Sequence, residues 1–490
     1  LIPFASSLKF LCYSPLAWSS HTNFLGKLAD LLVDAGHEVV VLSPTFEPSV
    51  REGSAQARVI QIPRTEAYFE PETNIRENIS DWVVDHTWQA IGSCTTRAPL
   101  WVAQCRDEKF DAAFAECIDW CGAALFFLVD IDKFAITESF AQKDGQYPIS
   151  HLEPAISYVP TIMGGQFGED MTFAKRAFNL FNYFVYKRFV YHAVEGYQEM
   201  LERLQPGFPD IVDLMALNSL YFMNYEPLLD FPRPSAARVI DIGGVAVSSG
   251  HKKLNETWSS ILSLRLRTVL MSFGTVAEAH TMPETFKESI REAVRAFPDV
   301  TFIWKYERPA HNISRGIPNL IETTLVPQND MLHDSRLSLF ITHCGQGSTT
   351  EANYAGVPLV VVPVLLDQVR NAYAMKRAGV GVTLEKSRLA YPEPLTEAIR
   401  EVLENPKYKE TAVVTAQMLR DKPFTGRELF VRNMEFLAVH GPLRMLDHHG
   451  QKLNFIQYYL IDVIGAILLA IVVAVGMVLG TIRKIIKITR

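Results

Sequence analysis

Short apolar runs and one helically spaced apolar series alternate near the start of the chain. Leu8–Tyr13 and Val39–Leu42 form the two short runs, which predict buried strands. Between them lies an apolar face with helical spacing, followed by Gly36 as a C-cap: Phe24, Leu25, Leu28, Leu31 and Leu32. This strand–helix–strand order predicts a parallel sheet with a right-handed crossover, and a further strand is predicted at Ala112–Ala115.

A second alternating series follows a stretch in which the apolar pattern loosens. Gly, Ser and charged residues dominate residues 246–265, as is typical of a linker. Beyond it, strands are predicted at Val269–Phe273, Thr301–Trp304, Leu337–Thr342 and Leu359–Val362, and helices near Glu284–Phe297, Ser348–Ala355 and Gln368–Ala378. The two series together predict an α/β protein with two doubly wound, Rossmann-like halves that face a cleft.

The block Val463–Ile482 is the most apolar part of the chain and contains no charged residue. Its length predicts a helix that spans a membrane; a buried core helix is the alternative, but the block lacks a polar face. Four positive charges follow it: Arg483, Lys484, Lys487 and Arg490. The positive-inside rule then predicts a cytosolic tail at residues 483–490 and a lumenal or extracellular body.

The first residues suit that orientation. Residues 1–7, LIPFASS, resemble the end of a signal peptide with its small-residue cleavage site. The alternative is that these residues only reflect where the numbering starts. Sequons at Asn78, Asn255 and Asn312 fit a secretory compartment, but such tripeptides also arise by chance. The six cysteines show no metal-ligand spacing, and a disulfide is permitted without being indicated.

Composition narrows the class of protein further. The 490 residues carry a net charge of −7, with 48% hydrophobic and 21% charged residues, as in globular proteins. An acidic excess argues against nucleic-acid binding, which usually needs a basic surface. The mean hydropathy of +0.07 is slightly high for a soluble protein, and the apolar block near the C-terminus accounts for much of the excess.

The segment with the most chemical information begins where the strand Leu337–Thr342 ends. His343-Cys344-Gly345-Gln346-Gly347-Ser348 follows it and opens a helix. Glycines let a backbone approach an anion, and a helix N-terminus offers unpaired N–H groups with a partial positive charge. The residues outline a diphosphate site, although they match neither a Walker loop nor a GxGxxG fingerprint, and a structural turn stays open as the alternative.

At this point the sequence resembles a known family, the UDP-dependent glycosyltransferases that include glucuronosyltransferases and glucosyltransferases. PQND, ITHCGxGSTTE, GVP and DQ occur in the family's order between residues 326 and 372. The opening YSPLAWSSHTNFLGKLADLLVDAGHEVVVLSP resembles nematode members, and YLIDVIG resembles the segment before the family's anchor. The resemblance implies the GT-B architecture, with an acceptor-binding N-terminal half and a C-terminal half that binds the UDP-sugar.

The resemblance also implies a set of donor-binding residues. His343 and the amides of Gly345, Gly347 and Ser348 would hold the diphosphate, and Ser272 and Thr275 would contact the same phosphates. Glu351 would accept hydrogen bonds from the ribose, and Gln328 would lie near the uracil. Asp367 and Gln368 would contact the sugar hydroxyls, although Asp367 also suits a helix N-cap. The UDP-sugar is a co-substrate, and neither a cofactor nor a metal is expected.

The resemblance also implies that His21, in the loop between the first strand and the first helix, is the general base; taken alone, an exposed or N-cap histidine is the alternative. An imidazole can take the proton of an acceptor hydroxyl as the oxygen attacks the anomeric carbon. A carboxylate normally orients such a base, and the matching position is Glu116, where many relatives carry Asp. Asp119 is the reserve for that role.

Two departures from the family pattern concern donor binding. Leu325 occupies the position of a Trp that stacks on uracil, and Leu365-Leu366 replaces an aromatic-Gly pair before DQ. Because Leu covers a base less well than an aromatic ring, we expect weaker or altered donor binding. These changes motivate a second hypothesis, a membrane-anchored lumenal protein that binds nucleotide or lipophile with little or no turnover.

The leading interpretation is an inverting transferase that moves glucuronic acid or glucose from UDP-glucuronic acid or UDP-glucose to a small lipophilic acceptor. The aromatic-rich residues 137–225 suit an acceptor pocket or a surface that faces membrane lipid, with core packing as the alternative. The family implies a single-pass type I protein of the endoplasmic reticulum membrane, with homo-oligomers possible. The predicted segments are a residual signal peptide 1–7, an acceptor domain 8–245, a linker 246–265, a donor domain 266–435, a membrane-proximal segment 436–462, a span 463–482 and a tail 483–490.

Overall fold

A computed structural model gives the three-dimensional structure of the chain. It describes residues 7–17, 19–46, 50–63, 102–141, 147–152, 154–162, 165, 167–247, 250, 252–274, 278–365 and 367–489. Several of the sequence predictions fall outside these residues in whole or in part: the signal segment 1–7, the sequon at Asn78, the phosphate contact of Thr275, Leu366, Arg490 of the tail, and parts of the linker 246–265 and of the aromatic-rich residues 137–225.

Parallel strands of the first half form one sheet. Its order among the described residues is β3–β2–β1–β4–β5–β6–β7. The strands are β1 Lys9–Tyr13, β2 Glu38–Pro44, β3 Arg58–Ile62, β4 Ala112–Glu116, β5 Phe134–Glu138, β6 Leu220–Met223 and β7 Val239–Asp241. Since β1 pairs in parallel with both β2 and β4, the chain reverses its winding direction at β1. A ligand site is expected beyond the carboxyl ends of the strands at such a reversal.

The helices of the first half cover this sheet. They are α1 Ser19–Asp34, α2 Cys121–Leu128, α3 Tyr147–Ser150, α4 Phe173–Leu204 and α5 Ile211–Ala216. On α1, Phe24, Leu25, Leu28 and Leu32 are buried, as the apolar spacing predicts. The chain leaves α1 through Gly36 at a φ of 93°, a conformation that favours glycine.

The second half repeats this design. Its sheet has the order β10–β9–β8–β11–β12–β13, with β8 Arg267–Ser272, β9 Val300–Lys305, β10 Leu320–Thr323, β11 Leu337–Thr342, β12 Leu359–Val361 and β13 Gly381–Thr383. The helices are α6 Glu256–Leu262, α7 Glu284–Arg295, α8 Gln328–Leu332, α9 Gln346–Ala355, α10 Asp367–Ala378, α11 Pro392–Glu404 and α12 Pro406–Arg420. Helix α6 lies inside the predicted linker, where Asn255 caps it by accepting the Trp258 backbone N–H at 3.0 Å.

Helix α13, Gly426–His440, follows the second half in sequence but packs on the first sheet. The ring of Phe430 lies 5.6 Å from that of Phe114 and 4.9 Å from that of Phe222. Glu435 on the same helix contacts Nε2 of His37 at 3.0 Å. Helix α13 therefore packs the C-terminal end of the second half against the first half.

Polar contacts join the two halves near their strand ends. The Arg370 guanidinium pairs with Asp230 at 2.8 Å, and Lys422 pairs with Glu226 at 2.6 Å. Nε2 of Gln346, which follows β11, donates to the carbonyl of Asn224, which follows β6, at 3.3 Å. The carboxyl ends of the two sheets therefore meet, and the predicted fold of two facing Rossmann-like halves is confirmed.

Residues Arg444–Arg490 form a separate unit. It contains α14 Phe455–Tyr458 and α15 Ile461–Ile488. Helix α15 has 28 residues and is long and apolar enough to cross a membrane. The helix includes the whole predicted span 463–482. It begins before the span, at Ile461, and continues after it into the basic tail as far as Ile488.

Candidate active site

His21 and Glu116 meet at the carboxyl edge of the first sheet. His21 lies in the first turn of α1, and not in the loop before the helix as the sequence suggested, because α1 begins at Ser19. Glu116 is the last residue of β4, the strand beside β1. The parallel pairing of these two strands brings together side chains that are 95 positions apart in the sequence.

Nδ1 of His21 lies 2.8 Å and 2.9 Å from the two carboxylate oxygens of Glu116. The side chain of His21 is 12% exposed and that of Glu116 only 2%. Ser139, which follows β5, donates its backbone N–H to Oε1 of Glu116 at 3.0 Å, and its hydroxyl lies 3.0 Å from Nδ1 of His21. The ring of Phe140 approaches His21 edge-on at 5.1 Å. The imidazole is therefore oriented by three neighbours.

The carboxylate of Glu116 stays ionised despite its burial. Burial acts to raise its pKa, but the charge of His21 and hydrogen bonds from His21 and Ser139 together hold the pKa below its ordinary value. An ionised carboxylate beside Nδ1 stabilises the imidazolium that forms when the ring takes up a proton. The side chain of Glu116 is thus long enough to reach Nδ1 of His21 from the end of β4.

Asp119, the reserve partner for His21, has other contacts. Its carboxylate accepts hydrogen bonds from the hydroxyl of Tyr13 at 3.0 Å and from that of Tyr197 at 3.4 Å. The backbone N–H of Cys121 donates to it at 3.0 Å. Burial raises the pKa of Asp119 to about 6, against these hydrogen bonds. The structure therefore pairs His21 with Glu116, while Asp119 bonds two tyrosines in the interior.

The predicted diphosphate loop forms a helix N-terminus in the second half. Strand β11 ends at Thr342, Cys344 adopts a φ of 68°, and Gly345 precedes the first residue of α9. Nδ2 of Asn371 donates to the Cys344 carbonyl at 3.2 Å and so anchors the turn. Gly347 is exposed within the first turn of α9. The unpaired N–H groups at such a helix N-terminus, together with the helix dipole, are able to bind an anion.

His343 packs closely between two glycines of this site. A Cβ atom on Gly274 would lie 2.7 Å from Nε2 of His343, and one on Gly345 would lie 2.6 Å from it, so any side chain at either position would force His343 to move. Burial and the charge of Lys305 lower the pKa of His343 to about 4, against a hydrogen bond with the Ser272 backbone. His343 is therefore neutral at pH 7, and it can contribute a hydrogen bond but no charge.

The predicted uracil, phosphate and ribose contacts lie together in the structure. Nε2 of Gln328, the first residue of α8, donates to the hydroxyl of Ser348 at 3.1 Å and to Oε2 of Glu351 at 2.8 Å. Leu325, at the position of the family's Trp, has a side chain that is 76% exposed. Leu325 is therefore accessible to a ligand that lies beside Gln328, Ser348 and Glu351.

Asp367 and Gln368 begin α10 and face the same cleft. The carboxylate of Asp367 accepts from Nδ2 of Asn371 at 2.8 Å, and Oε1 of Gln368 accepts from the backbone N–H groups of Val364 at 2.9 Å and Leu365 at 3.1 Å. Burial raises the pKa of Asp367 to about 6, against the Asn371 hydrogen bond and the charge of His21. This charge interaction indicates that His21 of the first half and Asp367 of the second half lie within electrostatic range of each other.

Three residues of this site escaped the sequence analysis: Ser139, Lys305 and Asn371. Ser139 and Lys305 lie at strand ends, on the edge where ligands bind, so their position relative to β5 and β9 could have identified them. Lys305 donates to the Gly274 carbonyl at 2.6 Å and pairs with Glu307 at 3.3 Å. Asn371 lies one helical turn beyond Asp367, a spacing that predicts contact.

The described residues can also be compared with the ligand sets that metal ions use. No group of three His, Cys, Asp or Glu residues there could hold an ion. Cys121 is disulfide-bonded, while Cys12, Cys105, Cys117 and Cys344 are buried. The sulfur of Cys117 accepts a hydrogen bond from the hydroxyl of Tyr221 at 3.3 Å, and that of Cys344 accepts one from the hydroxyl of Thr349 at 3.5 Å.

Two facing parallel sheets and a helix N-terminus for a diphosphate define a class, the GT-B glycosyltransferases that use nucleotide sugars. A Polygonum tinctorium UDP-glucosyltransferase that glucosylates indoxyl matches with a TM-score of 0.63 and 13% identity, over 89% of this chain and 100% of its own. A UDP-glucose:anthocyanidin 3-O-glucosyltransferase, solved with UDP, gives a TM-score of 0.60 and 14% identity, over 88% and 99%. These neighbours support the fold.

The sequence comparisons identify the family within that class. The family model described as UDP-glucoronosyl and UDP-glucosyl transferase matches residues 11–489. Caenorhabditis elegans ugt-48 is 29% identical over 486 residues, which are 94% of this chain and 91% of the relative. Homo sapiens UDP-glucuronosyltransferase 1A8 is 28% identical over 491 residues, or 94% and 88%. The chain belongs to this family and is a UDP-glycosyltransferase, an enzyme that transfers a sugar from a UDP-sugar.

Proposed function

We propose that the protein inverts the anomeric carbon as it transfers glucuronic acid or glucose to a hydroxyl of a small lipophilic acceptor. His21 is the general base and Glu116 its orienting carboxylate. The observation that carries this proposal is the contact of 2.8 Å between Nδ1 of His21 and Glu116, at the edge where the two halves meet. With Nδ1 on the carboxylate, Nε2 is the atom that takes the acceptor's proton.

The reaction is a single displacement. Nε2 of His21 removes the acceptor proton as the acceptor oxygen forms a bond to the anomeric carbon. The bond from that carbon to the diphosphate oxygen breaks, and UDP leaves with the electron pair. Because attack and departure occur on opposite faces of the sugar, the configuration inverts. The developing charge on UDP is stabilised by the N-terminus of α9 and a hydrogen bond from neutral His343.

The donor lies across the second half in this proposal. Ser348 and the amides after Gly345 hold the diphosphate, together with Ser272 and Thr275. Glu351 binds the ribose and Gln328 binds the uracil. The two side chains now bond each other at 2.8 Å, and each can exchange that hydrogen bond for one to a ribose hydroxyl or to the edge of the base. Asp367 and Gln368 bind the sugar hydroxyls. The positive charge of Lys305 helps to lower the pKa of His343. The same charge favours an anionic ligand on this side of the cleft.

The body of the enzyme lies in the lumen of the endoplasmic reticulum in this proposal, with α15 as a single type I anchor. The basic residues after the apolar stretch support a cytosolic tail. Two predicted sequons, at Asn255 and Asn312, have exposed side chains, as glycosylation requires. Protease treatment of sealed microsomes tests the orientation: a tag after residue 490 should be removed while the body is protected, and the reverse pattern contradicts it.

The test of the mechanism is UDP release by purified membranes with phenolic acceptors and each donor in turn. For His21→Ala we expect kcat to fall by about 10²–10⁴, the usual contribution of a general base, with UDP affinity unchanged. The matched control is His192→Ala, because His192 is an exposed histidine of α4. Comparison of the two donors identifies the sugar.

Two outcomes contradict the proposal. Undiminished turnover in His21→Ala excludes His21 as the base. Absence of turnover in the unmodified enzyme with every donor, alongside retained UDP binding, favours the second hypothesis of a binding protein, which the substitution of Leu325 for Trp motivates.

A further inference from the structure

Asn224 follows β6 and uses three of its polar groups for three different partners. Its backbone N–H donates to the carbonyl of Glu138 at 2.9 Å, and its side-chain Nδ2 donates to the carbonyl of Ser139 at 3.0 Å. Its own carbonyl accepts from Nε2 of Gln346, in the second half, at 3.3 Å. Asn224 is buried, so water competes little for these hydrogen bonds.

The side-chain amides in this group can face their partners in only one way. Each partner atom is a carbonyl oxygen, which accepts a hydrogen bond but cannot donate one. The nitrogen of Asn224, and not its oxygen, must therefore face Ser139, and the nitrogen of Gln346 must face Asn224. The hydrogen bonds thus have a fixed direction, from Gln346 through Asn224 to Ser139.

Asn224 fixes the backbone on both sides of the Ser139 Cα atom. The carbonyl of Glu138 shares one planar peptide group with the Ser139 N–H, and the carbonyl of Ser139 belongs to the next peptide group. Asn224 donates to both carbonyls. With both peptide groups anchored, the Ser139 N–H has a fixed direction.

This N–H points at the candidate base and its partner. It donates to Oε1 of Glu116 at 3.0 Å, and the hydroxyl of Ser139 lies 3.0 Å from Nδ1 of His21. Both side chains are held by groups of Ser139, whose own position depends on Asn224. The chain of hydrogen bonds therefore ends at the residues that would take the acceptor's proton.

The other end of the chain is Gln346, the first residue of α9. A neutral hydrogen bond of 3.3 Å contributes less to the cohesion of the two halves than an ion pair such as that of Lys422 with Glu226 at 2.6 Å. What distinguishes the Gln346 contact is that it connects the N-terminus of the proposed diphosphate helix with Ser139.

We propose that Asn224 is a positioning residue that holds Ser139 against Glu116 and His21, and that Gln346 ties this arrangement to α9. The inference rests on the proposed function, in which His21 is the base. A donor bound at α9 fixes Gln346 at one end of the chain and so favours the oriented form of His21 at the other end. Asn224 acts through Ser139 and is not itself a catalytic residue.

The test uses the full chain in membranes, with kcat per folded molecule, donor KM and UDP affinity as readouts. Asn224→Leu nearly keeps the shape of the side chain and removes its donor. Asn218→Leu is the matched control, because Asn218 lies just before the same strand and its Nδ2 donates to the carbonyls of Ile149 at 2.9 Å and Met215 at 2.7 Å. Asn224→Leu is also measured in the His21→Ala background.

For Asn224→Leu we expect kcat to fall by about tenfold, the effect of one lost hydrogen bond, with donor KM and UDP affinity unchanged. In the His21→Ala background the same substitution should cause no further loss, because the base that it positions is absent. Gln346→Met should lower kcat by about threefold and should add nothing to Asn224→Leu. Asn218→Leu should lower stability and leave kcat per folded molecule unchanged.

Unchanged kcat in Asn224→Leu overturns the inference. An equal loss with and without His21, or an equal loss in Asn218→Leu, also overturns it, because the effect then does not pass through the base. Asn224→Ala repeats the comparison with a smaller side chain if Asn224→Leu does not fold. Undiminished turnover in His21→Ala contradicts the proposed function, whereas a large loss there beside an unaffected Asn224→Leu contradicts this inference alone.

Discussion

The two halves of this enzyme build their parts of the site in different ways. In the second half, the donor-binding candidates from Gln328 to Gln368 lie within one short stretch of sequence, in or beside consecutive elements of the same βαβ series. In the first half, His21 begins α1, Glu116 ends β4 and Ser139 follows β5, and the three meet only because β1, β4 and β5 are neighbours. A local motif therefore describes donor binding, while the base and its partner depend on the folded sheet.

The contrast predicts that substitutions in the first half change turnover and those in the second change donor binding. Glu116→Gln keeps the size of the side chain and removes its charge, so the imidazolium of His21 loses its stabilising partner. We expect kcat to fall by about 10²–10³, while UDP affinity is retained. Glu116→Asp, the residue of many relatives, should retain more activity than Glu116→Gln. Initial rates and UDP titration measure the two effects.

Asp119→Asn in the same loop is the matched control, since Asp119 bonds Tyr13 and Tyr197 and not the base. Loss of UDP affinity in Glu116→Gln, or an equal loss of kcat per folded molecule in Asp119→Asn, would contradict the division of labour between the halves.

The second prediction concerns Asp367, whose pKa burial raises to about 6 from 3.8. The folded protein therefore binds this proton more tightly than the unfolded chain does. The stability due to this carboxyl is fully present below pH 3.8 and is lost as the pH rises through 6. Asp367→Asn should raise the free energy of unfolding at pH 7.5 by up to about 3 kcal/mol, and should change it little near pH 4.

Urea unfolding at the two pH values measures this effect, and Asp107→Asn, at an exposed aspartate, is the control. The same variant should bind the UDP-sugar more weakly, so stability and donor affinity change in opposite directions. A stability change that is independent of pH would show that the raised pKa of Asp367 is not its cause.

The third prediction compares two glycines of the diphosphate loop. Gly345→Ala places a Cβ atom 2.6 Å from Nε2 of His343, and we expect a loss of about 2 kcal/mol in stability together with weaker donor binding. Gly347→Ala meets no atom within 4 Å, so it should weaken donor binding without loss of stability. Thermal unfolding and UDP titration of both variants separate the two effects, and equal destabilisation by both would refute the crowding argument.

The smallest expected effect is at Leu325. Leu325→Trp restores an aromatic surface at an exposed position and should tighten UDP binding several-fold, since stacking contributes about 1–3 kcal/mol and leucine already covers part of the base. Leu266→Trp adds the same ring at a residue that is 98% exposed and outside the proposed site. Calorimetric titration with UDP compares them, and an equal gain in both variants would show non-specific binding.

Much of the fold was predictable because its elements are local. The strand Leu337–Thr342 was predicted with its observed ends, and α1, α7 and α9 lie where their apolar spacing placed them. The Gly36 turn followed from its position after an apolar helix face. These features depend on residues a few positions apart, so the periodicity of the sequence records them. Helix α6, a short element of seven residues in the linker, carried no such pattern.

Other features were decided only by tertiary packing. The pattern of α13 does not reveal that Phe430 lies against Phe114 and Phe222 of the other half. The choice of Glu116 over Asp119 as the partner of His21 needed the side-chain directions at the end of β4. Ser139 was missed because its contact with Glu116 joins the ends of two different strands, β5 and β4.

The sequence by itself determined the two alternating series, the long apolar helix near residue 470 and the candidate donor motif, because local propensity and periodicity act between residues close in the chain. The tertiary structure alone decided that His21 meets Glu116 and that Asp367 of the second half is within electrostatic range of His21. Contacts between distant residues leave no local periodicity, since they form only when strand pairing and helix packing close long loops.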